Sequence, residues 1–310
     1  MKQITHGVPQ GSILGPLLFV LYINDFHKAH LSHYFQYADD TTIIISDKDT
    51  NTVQNRTNME LINIYNWLKA NKLSLNLAKT SYIIVTNKKE PVKLNIKIDN
   101  YDIQCVEKTK VLGIIIDEKL TFKLHVESII AKLSMFNYTL YHLKFLPERI
   151  LLNLYNSLAY PHILYCISLW GSTSDNVLNP LIVQHKKIIR NLSKSRQFCE
   201  HTSPLYKALS LLKIPDICTL QLCLHIHKVF YKNAHPILAQ LIEQNQPIDQ
   251  RLFRNRYYYV HKSNFMLATP RRSLTYHGVD IWNKSNFSNK TISSLSRFRS
   301  HTKKTLMENY

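Results

Sequence analysis

Tyr37-Ala38-Asp39-Asp40 sets two adjacent carboxylates between an aromatic run, Tyr34-Phe35-Gln36-Tyr37, and an apolar one, Thr41-Thr42-Ile43-Ile44-Ile45. Both flanks have the β-branched and aromatic character of short strands, so the stretch predicts a β-hairpin with the acids at its tip. Side chains alternate faces along a strand, so Asp39 and Asp40 point the same way only if the turn bends them. Two carboxylates this close repel, and a proton or a divalent cation relieves the repulsion. Asp-Asp pairs are also ordinary turn residues. The meaning of the pair therefore rests on what surrounds it.

Upstream, Gly7-Val8-Pro9-Gln10-Gly11-Ser12 predicts a tight turn whose backbone can approach a ligand closely. Ile13 to Ile23 follows as a largely buried helix, begun by Ser12 with Pro16 near its first turn. Downstream, Met59, Ile62 and Tyr65, with Leu61, Ile64 and Leu68, recur at helical spacing between Asp47 and Asn71. Lys72–Thr80 is a short extended segment, and Tyr82–Val85 is an apolar strand. Val92–Ile98 alternates as a half-buried strand does, and Asp99-Asn100 turns it into another around Tyr101–Val106. Val111–Ile116 is a further strand. Residues 1–118 thus predict an α+β domain with a largely antiparallel sheet, and residues 119–310 a mostly helical one. In the second part, Val126, Ile129/Ile130, Leu133 and Phe136 mark one helix. Pro147 opens another with Leu151, Leu154/Tyr155 and Leu158 on its apolar face and a stop at Pro161. Leu181–Leu192 and Asp216–Val229 are two more.

Charge divides the same way. Residues 1–118 carry 13 basic and 12 acidic residues, whereas residues 119–310 carry 26 and 9, a net of +17. Such a field favours a polyanion, most simply nucleic acid. No lipidation motif or spanning run points to a membrane. Five scattered cysteines form no disulfide framework, which points to an intracellular, reducing compartment without deciding between nucleus and cytoplasm.

The order Gly7 to Phe19, then Tyr22-Ile23-Asn24-Asp25, then Tyr37-Ala38-Asp39-Asp40, resembles motifs B and C in the palm of the non-LTR (LINE-type, jockey/CR1-like) retrotransposon reverse transcriptases. Asn71-Lys72-Leu73-Ser74-Leu75-Asn76 with Lys79-Thr80 resembles motif D, and Leu112-Gly113-Ile114 with Asp117 the block that closes the palm. Leu154–Leu158 with Pro161-His162 and Trp170, His201–Leu205 and Gly278–Asn283 resemble the region after it. The resemblance implies a partial polymerase palm followed by a helical thumb and C-terminal region. It implies RNA-directed DNA polymerase chemistry on an RNA template, a DNA primer and deoxynucleotides. Asp39 would bind catalytic Mg²⁺ with Asp40 beside it, Lys79 would give a proton or positive charge to the pyrophosphate, and Gln10, Gly11 and Tyr37 would lie against nucleotide and template.

The family also carries a metal-binding Asp on an earlier strand, motif A, and a fingers region. Six residues precede Gly7 here and none is acidic. The expectation is an N-terminally truncated copy that does not polymerise alone and that works, if at all, beside an intact element-encoded polymerase. The rival class is a non-catalytic nucleic-acid-binding protein using the basic half. A third is an unstable product whose Ile13–Ile23 helix exposes apolar surface.

Other signals are bland by comparison. Cys218, Cys223, His225 and His227, after Cys199 and His201, lack a Cys-x-x-Cys pair, and core packing accounts for them better than zinc. Tyr257-Tyr258-Tyr259 between Arg254/Arg256 and Lys262 fits base stacking and thumb packing equally. Arg271-Arg272 faces phosphate or solvent.

Overall fold

A computed structural model describes residue 8 and residues 11–88, 92–193, 201–243, 273–285 and 290–310. Gln10, Cys199, the Tyr257–Tyr259 run and Arg271-Arg272 lie outside the described residues. The chain divides into two compact units, residues 1–109 and 110–310.

In the first unit, α1 (Leu14–Ile23) follows a turn at Gly11, whose φ of +83° suits glycine. Ser12 Oγ accepts the Gly15 N–H at 3.3 Å. The helix is apolar on every side and buries no residue. A 3₁₀ turn, Phe26–Ala29, leads to the hairpin of β1 (His33–Tyr37) and β2 (Asp40–Ile44). Next comes α2 (Thr50–Ala70), capped by the Asp49 carboxylate, which accepts the Thr52 N–H at 2.8 Å.

Three expectations change here. The helix expected to be largely buried over Ile13–Ile23 buries none of its residues. Met59 and Ile62 are exposed, at 65% and 51%. The face of α2 that packs is offset by one or two residues. Glu60 and Ile64 are buried, and Leu61 and Tyr65 pack on Ile96, Ile98 and Ile103. Nor is there one antiparallel sheet. Among the described residues the strands form four separate pairs. β3 (Ser81–Tyr82) runs parallel to β6 (Gln104–Cys105), and β4 (Lys97–Ile98) antiparallel to β5 (Tyr101–Asp102). Burial alternates along 92–98 as a strand's should, yet only its last two residues join a ladder. Side chains of α2 stand in for the partner strand. Gln54 Oε1 accepts the Asn95 N–H at 2.7 Å, Asn58 Nδ2 donates to the Asn95 carbonyl at 3.0 Å, and Asn58 Oδ1 accepts the Lys97 N–H at 3.0 Å.

The stretch Val111–Ile116, expected as one strand, is instead a hairpin: β7 (Lys108–Val111) and β8 (Ile114–Asp117) are joined by Leu112-Gly113, both with positive φ, as a two-residue hairpin loop requires. The Asp117 carboxylate accepts the Thr121 N–H at 2.9 Å and the Phe122 N–H at 2.8 Å, which fixes the entry to α3 (Lys123–His142). Then α4 (Glu148–Leu154) does not stop at Pro161. It passes through a π-helical turn, Tyr155–Ala159, into α5 (Tyr160–Leu164), with Pro161 in the first turn of α5, where a missing N–H is tolerated. The π turn adds a residue, so the buried series is Leu151, Tyr155, Ala159, Ile163 and Ile167, and Leu158 is exposed. The remaining helices are α6 (Ile167–Trp170), α7 (Asp175–Leu192), α8 (Thr202–Ala208), α9 (Ile214–Phe230) and α10 (Pro236–Glu243). A π turn (Leu274–Gly278), α11 (Val279–Lys284) and α12 (Leu295–Glu308) end the chain. They enclose one core in which Trp170 and Trp282 are fully buried. A Cβ at Gly171 would stand 2.5 Å from the Ile167 carbonyl and 2.9 Å from Cys218 Sγ, so α6 and α9 approach there only over glycine. Among the described residues no helix is long and apolar enough to cross a membrane.

The core holds a buried polar chain. His185 Nε2 meets the Tyr155 hydroxyl and Nδ1 the Tyr206 hydroxyl, each at 2.9 Å. Both nitrogens are satisfied by a neutral ring, one donating and one accepting. Complete burial lowers the His185 pKa to about 3, below the roughly 6.5 of an unfolded histidine. The folded pKa is the lower one, so this contribution is whole above about pH 6.5 and is lost as pH falls toward 3. Denaturant unfolding at stepped pH is expected to show stability falling below pH 6, this group contributing up to about 1.4 kcal/mol per pH unit. His185→Gln should be less stable at pH 7 but show a shallower acid limb.

Candidate active site

The hairpin's ladder runs from the His33–Ile44 pair to the Tyr37–Asp40 pair, leaving Ala38 and Asp39 as a two-residue turn. Directly opposed residues share a face. By the alternation of β1, Tyr34–Ile43 and Gln36–Thr41 lie on the more buried face, although Thr41 itself is exposed, and His33–Ile44, Phe35–Thr42 and Tyr37–Asp40 on the other. Asp40 therefore stands beside Tyr37 on an exposed surface that also carries Phe35, while Asp39 sits in the turn itself. Both aspartates are exposed, and neither carboxylate makes a hydrogen bond or ion pair among the described residues. Ala38 takes a left-handed φ of +52°, a conformation that costs a non-glycine residue about 1 kcal/mol or more. That strain sits next to the acids and lets the chain reverse in two residues.

The base of the hairpin is held on two sides. The Glu60 carboxylate, buried on α2, accepts the Leu31 N–H at 3.2 and 3.1 Å and the Ser32 hydroxyl at 2.9 Å. Phe26, at the start of the 3₁₀ turn, meets the rings of His30, Tyr34 and Trp67 edge-on at 4.9, 5.6 and 5.2 Å. The Tyr22 hydroxyl donates to the Asn71 carbonyl and ties α1 to the end of α2. Glu60 escapes a motif search. Its one signal is position, an acid four residues before Ile64 on the face that α2 buries.

The other predicted site residues stand apart from the tip in hydrogen bonding. Lys79 is exposed in a turn after the extended segment, its N–H donating to the Asn76 carbonyl at 3.1 Å. No hydrogen bond or ion pair joins Lys79 or Gly11 to Asp39 or Asp40 among the described residues. Nor is there, among them, any group of three His, Cys, Asp or Glu side chains arranged to hold a metal. The donors at the tip are of the right kind for Mg²⁺, two carboxylates with no sulfur or imidazole, and water and phosphate oxygens ordinarily complete such a shell. Of the α9 cysteines and histidines, Cys218 and His227 have other partners. Cys218 Sγ faces the Ile167 carbonyl at 3.7 Å, and His227 Nε2 donates to the Ile292 carbonyl at 2.7 Å while its ring stacks on Phe298.

The family model for reverse transcriptase (RNA-dependent DNA polymerase) matches residues 2–116, which include the hairpin, α2 and the Lys79 turn. Three relatives from Drosophila melanogaster carry the match into the helical unit. The chain is 26% identical to a probable RNA-directed DNA polymerase from transposon X-element, over 69% of this chain and 24% of that protein. It is 24% identical to the probable RNA-directed DNA polymerase from transposon BS, over 78% and 28%. It is likewise 24% identical to the RNA-directed DNA polymerase from mobile element jockey, over 70% and 25%. Over residues 2–116 the chain is thus similar to reverse transcriptases, and the three relatives are polymerases of mobile elements. The chain spans about a quarter of the length of the curated relatives it matches. No solved structure matches it.

In this segment the turn geometry is open to a direct check. Ala38→Val places a β-branched side chain at positive φ and is expected to loosen the hairpin, seen as faster amide hydrogen exchange across residues 33–44. Ala38→Gly should leave exchange unchanged or slower.

Proposed function

We propose that this chain is the part of a retrotransposon RNA-directed DNA polymerase that supplies the paired catalytic carboxylates, Asp39 and Asp40, together with a basic helical unit that engages template and primer. The observation that carries the reading is the hairpin tip. It presents two adjacent, unpartnered carboxylates beside an exposed tyrosine, inside the segment that the reverse transcriptase family matches. Asp39 and Asp40 would hold Mg²⁺, which when bound supplies activation of a primer 3′-hydroxyl and stabilisation of the departing pyrophosphate. The chain's own part is to hold that charge in a fixed place. Tyr37 and Phe35, on Asp40's face, offer rings against which a base stacks. Gly11, bent at positive φ, lets backbone come close to the nucleotide, with Gln10 next to it. Lys79 brings a cation to the phosphate end.

Two-metal transfer needs more carboxylate than this tip provides. Residues 1–310 alone are therefore expected not to extend a primer on an RNA template with Mg²⁺ and deoxynucleotides. Extension that Asp39→Ala abolishes would show the chain to be sufficient and overturn that part of the reading.

A second reading, a non-catalytic nucleic-acid-binding protein, draws on the net +17 of residues 119–310. The two share the binding step, which filter binding to single-stranded RNA across a salt series examines. The expected result is a fall in log affinity with log salt of slope roughly −0.7 per phosphate contacted. Affinity that ignores salt would remove the basic unit from both.

A further inference from the structure

Glu60 has no role in the motifs that define the tip, yet its surroundings are unusual. It is a carboxylate 6% exposed, and no cation pairs with it among the described residues. Burying a carboxylate in that way is costly unless donors replace its water. The donors here all belong to the two residues before β1: the Leu31 N–H, shared between both oxygens, and the Ser32 hydroxyl on Oε1. Leu31's own side chain is 95% exposed, so its backbone, not its packing, is what holds this residue down. Glutamine would meet the same donors with one oxygen and one N–H₂, and the amide would oppose a donor. The site is thus fitted to a carboxylate.

Two ways exist for Glu60 to affect the tip. One is its charge. Five residues of strand rise roughly 17 Å, whereas charges in physiological salt are screened over about 8 Å, so the charge is too remote. The other is leverage. The ladder from the His33–Ile44 pair to the Tyr37–Asp40 pair makes the hairpin a single arm. Over roughly 17 Å of strand, a rotation of about 5° at the base carries the tip roughly 1.5 Å. Displacements of about 1 Å are enough to cost on the order of 100-fold in a positioned reaction. The aromatic group around Phe26 grips Tyr34 one turn of the pleat further on, but rings packed edge to edge slide more readily than a three-bond carboxylate clamp. We propose that Glu60 is a positioning residue: by clamping Leu31 and Ser32 to α2 it sets the direction in which the β1–β2 arm presents Asp39 and Asp40. The link to catalysis rests on the reading of those aspartates given above; the orientation of the arm does not.

The test separates the two by nuclear magnetic resonance on the full 310-residue chain. Residual dipolar couplings of residues 33–44, measured without metal and referred to those of α2, report the arm's orientation. Mn²⁺ broadening of the same amides reports the tip. In wild type, the couplings fit one rigid orientation and broadening centres on Ala38–Asp40, and Asp39→Asn removes it. Glu60→Gln and Ser32→Ala are expected to keep their helical circular dichroism, to scale the arm's couplings down relative to α2, and to weaken Mn²⁺ at the tip by about 10-fold or more. Ser32→Thr, which keeps the hydroxyl, should restore both. If Glu60→Gln does not fold, the Ser32 pair carries the comparison. Unchanged couplings in the folded variants would overturn the positioning role whatever the metal does. A wild-type tip that Mn²⁺ leaves sharp would instead overturn the metal reading, with the couplings still deciding the role of Glu60.

Discussion

A two-stranded arm keeps its tip in place only if its base cannot turn. That constraint governs the first unit. Five rungs of ladder make the arm stiff, and a two-residue reversal at Ala38-Asp39 leaves no slack at the far end. Neither feature fixes where the arm points. Direction comes from α2, through a buried carboxylate on one side and Trp67 against Phe26 on the other. The helix also substitutes for a missing strand along residues 95–97, so it organises both the arm and the small sheet behind it. What looks from the ladder alone like an isolated hairpin is an appendage of one long, well-capped helix.

The second unit is built differently. Its core is an apolar mass crossed by a hydrogen-bonded line, Tyr155–His185–Tyr206. The chain's last residue joins the same region: the Tyr310 hydroxyl donates to Asp216 at 2.7 Å and accepts the Lys213 N–H at 2.8 Å. Both polar groups anchor helices without leaving an ion stranded. On α12 the basic residues Arg297, Arg299 and Lys304 are exposed opposite Phe298, Thr302 and Leu306. A stable interior and a basic exterior are what a surface needs to hold a polyanion without unfolding around it.

Much of this was open to sequence reasoning, for definite reasons. The helices of the second unit follow from 3.6-residue periodicity, which Val126, Ile129, Leu133 and Phe136 display and the core then uses. The hairpin follows from alternating aromatic and β-branched residues about a polar pair. The failures have equally definite causes. A π turn inserts one residue without a compositional mark, so the buried face after Tyr155 shifted from Leu158 to Ala159, and Pro161 fell where a helix tolerates it. The strand over 92–98 has the right period, but periodicity cannot say whether the partner is another strand or a row of amide side chains. The paired aspartates were visible because a motif carries them. Glu60 was not, since an acid on a buried face gains meaning only once the loop it holds has been placed.

The reading of the tip requires that Asp39 and Asp40 form a site for a hard divalent cation. Mn²⁺ titration of the chain, followed by the relaxation enhancement of water protons, measures this without requiring turnover. Saturable binding is expected in wild type and its loss in the Asp39→Asn, Asp40→Asn double variant, with the helical signal unchanged. Equal binding by wild type and the double variant would contradict it.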